Sequence, residues 1–397
     1  MENQSNREWH RERVEGVVHQ ESLKYLWLSP PDVVEVEAQA VLAAVRSGWV
    51  APLGPEVDAF ESEIARFSGR THAVALSSGT AALHLGLLAL HVKAGDEVVV
   101  PTLTFGASAF AVTYTGASPV FLDVEERSWN LDPDLLGDFL AQRAESNSLP
   151  AAVLTVDVFG RTCDYDRIIP ICQEYGVPAL ADSAEALGAA HGSSPAGSFG
   201  AAAAFSFNGN KIMTTSGGGM LVTDDADLAA KVRFWATQSR EPFPWYEHEE
   251  IGYNYRLSNV LAALGRAQLT RLPDMIERRR AIRNRYAEGL SDMAGVSVMG
   301  DAPWGRDNAW LTTATFDPEV HPDAPRRIRE ALELGNIEAR PIWKPMHLQP
   351  IFAQCEARLT GSAERAFEQG LCLPSGSTMT DDDVDRVLAG VRAELSG

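Results

Sequence analysis

The chain has 397 residues, of which 34 are basic and 54 acidic, and its formal net charge is -20. Because binding to nucleic-acid phosphates relies on basic surface, this charge argues against a nucleic-acid partner, although a local basic cluster could still hold a small anion. The four cysteines are scattered without the spacing of a metal site or a disulfide framework, and no apolar run approaches the length of a membrane span.

Cysteine usage and the polar N-terminus indicate a reducing, cytoplasmic location without membrane contact. Residues 1–23 are too polar for a signal peptide and are interpreted as a loosely held extension, with Trp9 as a docking point. The length and the 45% hydrophobic content suffice for one large and one smaller domain.

The first half of the chain changes from helices to alternating strands and helices. Amphipathic patterns predict helices at residues 32–47 and 57–67. Alternation of short apolar strands with helices then predicts a mostly parallel sheet with helices on both faces. The strands of this region are predicted at 72–76, 97–100, 119–122, 151–158, 177–181, 203–207 and 220–222, and the helices at 80–91 and 166–175.

The second half is richer in helices. Long helical patterns occupy residues 259–272 and 275–290, and the remainder mixes a strand at 311–316 with helices at 326–334 and 381–395. We expect an α/β fold with a large domain over residues 24–270 and a smaller C-terminal α+β domain over 271–397.

A single lysine stands between two predicted strands in the stretch FSFNGNKIMTTSGGGML. Lys211 follows a turn-prone Asn-Gly-Asn and precedes three glycines, so it projects from a polar loop. A desolvated lysine loses its proton more easily, and a neutral amine is what a Schiff base with an aldehyde cofactor requires. The alternative is an ordinary solvated loop lysine.

Other polar and aromatic residues follow strands of the same predicted sheet. Residues 77–80 (SSGT) open a helix and are typical of a phosphate seat, or simply of an N-cap. Phe105 follows the next strand and could stack on a flat ring or belong to the core. Asp182 closes a strand, as a partner for a pyridinium nitrogen would, and Glu185 lies three residues on. The order of these residues predicts a cofactor site along one sheet edge, and no metal site.

Long stretches of the chain resemble the DegT/DnrJ/EryC1/StrS family of pyridoxal phosphate-dependent nucleotide-sugar aminotransferases. The resemblance runs from about residue 26 to the C-terminus and implies the aspartate aminotransferase fold (type I). It is carried by SGWVAPLGPEVDAFE, SSGTAALHLGLLAL, GDEVVVPTLTFGAS, DVFGRTCDYD, ADSAEALGA, FSFNGNKIMTTSGGGML, GYNYRLSNVLAALGRAQL and RPIWKPMHLQPIF.

The resemblance also implies roles for individual residues in binding pyridoxal 5'-phosphate. Lys211 would form the Schiff base and move protons, and Asp182 would pair with the pyridine nitrogen. Family members are homodimers, so Asn254 would reach the cofactor phosphate of the other subunit, unless it is only a loop asparagine. The remaining cofactor-binding residues implied are Gly79, Thr80, Phe105, Glu185 (where the family often has glutamine) and Ser206.

The branch resembled acts on UDP-linked 4-keto-6-deoxy-hexosamines, which implies amino transfer from glutamate to C4 of the sugar. Residues lining the sugar-nucleotide cleft would be Arg340, Trp343, Lys344 and His347, although this segment could equally be a surface loop. A dTDP-linked sugar, C3 as the acceptor carbon and a cyclitol ketone stay open as substrates.

The sequence also shows two departures from the family pattern and leaves three rival functions to weigh. The family's frequent Glu-Asp-Ala-Ala is Ala-Asp-Ser-Ala here, and the glycines after Leu-Ser-Pro-Pro are replaced by Val33, Val34 and Glu35. Related sugar dehydratases carry histidine in place of the lysine, so Lys211 favours amino transfer. A regulator that binds the cofactor without catalysis would be supported by a partner-binding or DNA-binding appendage, and the sequence offers only about twenty polar residues at its start. A Rossmann dehydrogenase would carry G-x-G-x-x-G after its first strand, and this sequence does not.

Overall fold

The computed structural model describes residues 24–396, so the predicted extension with Trp9 lies outside the described residues. Its strands form one large and two small sheets. In chain order they are β1 (His72–Leu76), β2 (Glu97–Pro101), β3 (Ser118–Leu122), β4 (Ala152–Val156), β5 (Ala179–Asp182), β6 (Ala190–His191), β7 (Ser194–Pro195), β8 (Ala202–Ser206), β9 (Gly219–Thr223), β10 (Val296–Val298), β11 (Gly305–Arg306), β12 (Thr312–Phe316), β13 (Arg340–Pro341), β14 (Ala357–Arg358) and β15 (Gly370–Leu373).

Helices separate most of these strands. They are α1 (Glu35–Ser47), α2 (Pro55–Phe67), α3 (Gly79–Ala89), α4 (Gly106–Tyr114), α5 (Pro133–Glu145), α6 (Tyr165–Glu174), α7 (Ala226–Ala236), α8 (Asn259–Gly289), α9 (Ala324–Leu334), α10 (Ser362–Gln369) and α11 (Asp381–Ser396), with 3-10 turns at Val158–Gly160, Met346–Leu348 and Pro350–Phe352. Within residues 24–396, none of these helices has the length and apolar character needed to cross a membrane.

The large sheet has eight strands in the order β1-β9-β8-β5-β4-β2-β3-β14. Neighbouring strands from β8 to β14 are parallel, whereas β9 runs antiparallel to both β8 and β1. The prediction of a mostly parallel sheet is confirmed. Since β9 is antiparallel to both of its neighbours, β1 runs in the same direction as β8. The carboxyl ends of β1, β2, β4, β5 and β8 therefore all lie at one edge of the sheet.

Alternate side chains of each strand enter different cores. On β2, Val98 and Val100 pack into the core on one face of the sheet, and Val99 packs into the core on the other. Successive side chains of a strand point to opposite faces, so a sheet covered on both faces needs apolar residues throughout. This explains the continuous apolar runs from which the strands were predicted.

The C-terminal part forms a second unit of structure around the sheet β10-β12-β15-β13. Its core joins Ile282 of α8, Phe316 of β12 and Val387 of α11. Strand and helices here match the α+β character expected from the sequence.

One long helix replaces the two helices expected at residues 259–272 and 275–290, and that prediction is wrong. The 31 residues of α8 continue through Pro273. Proline in a helix interior removes a hydrogen bond and costs about 3 kcal/mol. Packing on both sides of Pro273 outweighs this cost, because Leu272 lies in the core of the large sheet and Ile282 in the C-terminal core. The proposed domain boundary near residue 270 therefore falls within a continuous helix.

Candidate active site

A cavity of about 1150 Å³ opens at the carboxyl edge of the parallel strands, against the C-terminal unit. Most of the residues that the sequence singled out line it. They are Gly79, Thr80, Phe105, Asp182, Glu185, Ser206, Lys211, Arg340, Trp343 and Lys344. The topology explains this convergence, since ligands of open α/β sheets bind outside the carboxyl ends of the strands.

Lys211 lies in the loop that joins β8 to β9. The turn is closed by the Lys211 N–H, which donates to the Asn208 carbonyl at 3.0 Å. The side chain is 11% exposed. Its Nζ donates to Glu185 Oε1 at 3.1 Å and lies 4.2 Å from the centroid of the Trp310 ring. The amine is thus held inside the cavity rather than solvated at the surface.

Two buried carboxylates face this amine from the end of β5. Asp182 Oδ2 accepts from Ser108 Oγ at 2.7 Å, and Oδ1 accepts from the Ala184 N–H at 3.1 Å. Both donors are neutral, and burial raises the pKa of Asp182 despite the nearby Lys211. A cation placed beside this carboxylate would therefore be strongly favoured.

Glu185 is the second of these carboxylates. Burial raises its pKa to about 7, although the Lys211 ammonium and the Phe159 N–H both oppose this shift. The Phe159 N–H donates to Oε2 at 2.8 Å, which leaves Oε1 turned to Lys211. The carboxylate can thus act as a fixed partner for the amine.

The start of α3 lines the same cavity as the carboxylates. Ser78 caps the helix by accepting from the Ala81 N–H, so the N–H groups of Gly79 and Thr80 point outward at the helix N-terminus. A Cβ added to Gly79 would lie 2.9 Å from the Ser206 Cβ. The absence of a side chain at Gly79 lets the end of β8 approach the helix start, which brings the Ser206 hydroxyl to the same place.

Aromatic and basic side chains complete the cavity wall. Phe105 is 59% exposed and its ring lies 5.8 Å from that of Trp343. Arg340 and Lys344 are exposed at the mouth, and Arg340 Nη2 pairs with Glu338 at 2.6 Å. The exposed face of Phe105 is available for a flat ligand, and the two cations are available for an anionic one.

Two predicted residues are not brought into the cavity of this chain. Asn254 is exposed and forms an isolated antiparallel bridge with Thr237. The imidazole of His347 is instead enclosed, with Nδ1 2.7 Å from Thr102 Oγ1 and Nε2 3.2 Å from Glu364. The assignment of Asn254 to the site of a second subunit stays a prediction.

Sequence reasoning missed two residues that contact the predicted ones. Ser108 binds Asp182, and its signal was available, because it lies one helical turn after Phe105 at the start of a helix that follows a strand. Trp310 contacts Lys211 from the C-terminal unit. No local pattern marks it, since a tryptophan just before a strand is typical of a core residue.

Known proteins match this chain over nearly their whole length. The model of the DegT/DnrJ/EryC1/StrS aminotransferase family matches residues 31–392. EpsN from Bacillus subtilis, whose name assigns it provisionally to the pyridoxal phosphate-dependent aminotransferases, is 46% identical over 92% of this chain and 94% of its own. The GDP-perosamine synthase of Caulobacter vibrioides is 36% identical over 89% of this chain and 94% of its own.

Solved structures give the same picture. Helicobacter pylori PseC, an aminotransferase involved in the biosynthesis of pseudoaminic acid, superposes with a TM-score of 0.86 at 25% identity. The match covers 94% of this chain and 100% of PseC. The similarity thus includes both the large sheet and the C-terminal unit.

Proposed function

The chain belongs to the DegT/DnrJ/EryC1/StrS aminotransferase family of pyridoxal phosphate-dependent sugar aminotransferases, and from this premise we propose its cofactor site and its substrate. The cofactor is pyridoxal 5'-phosphate, held in the cavity around Lys211. The amino group passes from glutamate to C4 of a UDP-linked 4-keto-6-deoxy-hexosamine. The observation that carries the proposal is one lysine amine, with its side chain only 11% exposed, beside buried carboxylates and a helix start that can bind an anion.

The residues present fit this cofactor. Asp182 is a buried carboxylate whose pKa is raised by burial and whose two hydrogen bonds come from neutral groups, so a protonated pyridine nitrogen would relieve its isolation. Because Gly79 has no side chain, the helix start and Ser206 lie close together, and the backbone N–H groups of the helix start and the Ser206 hydroxyl can both donate to a phosphate. Phe105 offers an exposed ring face for stacking.

When bound, pyridoxal phosphate supplies an electron sink for bond breaking at the amino-bearing carbon. The Nζ of Lys211 takes the proton from the α-carbon of glutamate and later gives a proton to C4 of the sugar. Glu185, 3.1 Å from Nζ, holds the amine in place between the two transfers. The low exposure of Lys211 keeps water away from the reacting proton.

The exposed cations at the cavity mouth support a nucleotide-linked substrate. Arg340 and Lys344 can offset the charge of a diphosphate on a protein whose net charge is -20. Arg340 would exchange its present partner Glu338 for the ligand. Trp343 lies beside them and offers an aromatic surface for the sugar or base.

A second nucleotide is supported by one observation. Relatives named GDP-perosamine synthases match most of the chain, one of them at 36% identity. A GDP-linked keto-sugar is therefore the second candidate. A dTDP-linked sugar and a cyclitol ketone stay open as further substrates. A dehydratase activity is disfavoured because the chain retains Lys211.

Absorbance spectroscopy on the wild-type protein tests cofactor, donor and acceptor in sequence. With pyridoxal phosphate added, we expect a visible band that glutamate removes and that the correct keto-sugar nucleotide restores. UDP-, GDP- and dTDP-linked 4-keto sugars are tried separately, and nuclear magnetic resonance of the product identifies the aminated carbon. A protein that stays colourless with added cofactor contradicts the site, and a product whose sugar has gained no amino group contradicts amino transfer.

Lys211→Ala is the decisive variant. Since it removes both the covalent attachment point and the proton carrier, we expect turnover to fall at least about a thousandfold. Lys93→Ala, at an exposed position outside the cavity, is the matched control and should retain wild-type turnover. Steady-state transamination by Lys211→Ala would contradict the role proposed for Lys211.

A further inference from the structure

Trp310 makes two contacts at the reactive lysine, one with its amine and one with the backbone just before it. Its side chain is buried, and the face of its ring lies 4.2 Å from Lys211 Nζ. Its indole Nε1–H donates at 2.7 Å to the carbonyl of Asn210, the residue directly before the lysine. One side chain thus touches both the amine and the backbone from which the amine projects.

Trp310 is itself held by polar groups of the core. Its N–H donates to Asn308 Oδ1 at 2.9 Å, and the Nδ2 of the same asparagine donates to the Glu185 carbonyl at 2.7 Å. Asn308 therefore fixes both partners of the Lys211 amine, the indole ring and the glutamate, relative to each other. The Lys211 amine lies between the Trp310 ring and the Glu185 carboxylate, and the backbones of both residues are hydrogen-bonded to the Asn308 side chain.

A buried arginine supports the same arrangement from the long helix. Arg279 Nη1 donates to the Trp310 carbonyl at 2.7 Å, and Nη2 donates to Ser29 Oγ at 3.1 Å. Ser29 Oγ in turn donates to the Asn210 carbonyl at 2.8 Å. Burial lowers the pKa of Arg279 to about 10, so it stays charged near neutral pH. The loop before Lys211 is thus held from two sides.

We propose that Trp310 is a positioning residue for Lys211, and that its ring and Glu185 form a two-sided seat for the ammonium group whenever the amine is not covalently attached to the cofactor. Tryptophan gives the strongest cation–π attraction of the aromatic side chains. The indole N–H keeps the loop in register with this seat. The role given to Lys211 rests on the proposed function, but the seat itself does not.

Chemical modification of the cofactor-free, full-length protein tests the seat directly. The chain has only five lysines, Lys24, Lys93, Lys211, Lys231 and Lys344, so mass spectrometry can follow each one separately after treatment with trinitrobenzenesulfonate. Only an uncharged amine reacts, and a cation–π partner stabilises the charged form. In Trp310→Leu we expect Lys211 to react about two- to thirtyfold faster than in the wild type, with Lys93 unchanged as the internal reference.

Two further variants separate positioning from stability. Trp310→Phe retains an aromatic face and should give an intermediate Lys211 rate. Trp304→Phe is the matched control, because Trp304 also donates its indole N–H to a backbone carbonyl (Thr162, 2.8 Å) and has a cation, Arg127, 5.3 Å from its ring centroid, but lies outside the cavity. It should leave the Lys211 rate unchanged.

The cofactor-loaded enzyme gives a second readout. In Trp310→Leu the half-reaction with glutamate should slow about tenfold while KM for the sugar nucleotide stays near the wild-type value, and Trp310→Phe should recover part of the loss. If Trp310→Leu fails to fold, Trp310→Phe carries the test. An unchanged Lys211 modification rate in a folded variant, with or without a lower melting temperature, overturns the proposal. Absence of turnover with every keto sugar would contradict the proposed function and leave the modification result standing.

Discussion

Glu185 shows how burial of one carboxylate links the site to the stability of the protein. Its pKa rises from an ordinary value of 4.5 to about 7 in the folded chain, because burial disfavours the charged form. Between these two pH values the folded state binds the proton more tightly than the unfolded state. The free energy of unfolding therefore falls as pH rises through this window, by about 3 kcal/mol in all for this group.

Replacement of this residue by its neutral isostere should remove that dependence. In the cofactor-free protein, the melting temperature of the wild type should fall from pH 5 to pH 8 by about 5 °C more than that of Glu185→Gln. Asp157, whose pKa burial also raises to about 6, is present in both proteins and cancels in the comparison. Glu333→Gln, at an exposed position, is the control and should behave like the wild type. Equal pH dependence in wild type and Glu185→Gln would contradict the raised pKa.

At the scale of secondary-structure elements, the junction of α3 with β8 depends on a single missing side chain. A Cβ at position 79 would lie 2.9 Å from the Ser206 Cβ, closer than such contacts normally occur. Gly79→Ala should therefore move the helix start away from the strand and weaken pyridoxal phosphate binding by about tenfold or more, because overpacking of this kind costs about 1–3 kcal/mol. Equilibrium dialysis measures the affinity.

A second glycine of the same cavity provides the comparison. A Cβ added to Gly217 meets nothing within 4 Å, so Gly217→Ala should bind the cofactor like the wild type. Equal affinities for Gly79→Ala and the wild type would mean that the close approach of helix and strand has no part in binding.

Element prediction succeeded where local pattern and long-range packing agree. The strand β1 has the bounds predicted from its apolar run, 72–76. It failed at α8, where two helical stretches at 259–272 and 275–290 were predicted and packing in two cores keeps one helix continuous. The helix α4 was not predicted, because Phe110 and Tyr114 lie on its exposed face, so the sequence GASAFAVTY shows little amphipathic contrast.

The same distinction holds for the candidate site. Residues at strand ends, such as Asp182, and in the loop with Lys211 could be placed together from the sequence, since parallel strands bring their carboxyl ends to one edge. Trp310 could not, because it lies 100 residues after Asn210, to whose carbonyl it donates, and reaches the cavity from the loop before β12. Contacts of this kind depend on how two units pack, which no local pattern records.

At the scale of the whole molecule, several exposed aromatic side chains lie near the segment that carries Asn254, in space or in sequence. Tyr114 is 57% exposed, and its ring contacts the buried His84, which also contacts Tyr253, the neighbour of Asn254. Trp245 and Tyr246 are 58% and 77% exposed nearby in sequence. Exposed apolar surface of this extent is typical of protein interfaces. It supports the prediction of a homodimer in which Asn254 serves the partner's cavity.

Mixed dimers test that prediction directly. Lys211→Ala and Asn254→Ala subunits, coexpressed with different tags and purified as the mixed pair, should have one cavity with both defects and one with neither. We therefore expect about half of the wild-type turnover, although the Lys211→Ala dimer is inactive and the Asn254→Ala dimer impaired.

The control pairs two defects that belong to the same cavity of one chain. A mixed dimer of Lys211→Ala and Asp182→Asn subunits has one defect in each cavity and should stay inactive. Recovery in the first pair and not in the second requires that Asn254 cross to the partner, because only then does one intact cavity form. If the first pair shows no more activity than the mean of its two parent dimers, Asn254 acts within its own chain or not at all, and the exposed position of its side chain must be explained without a partner.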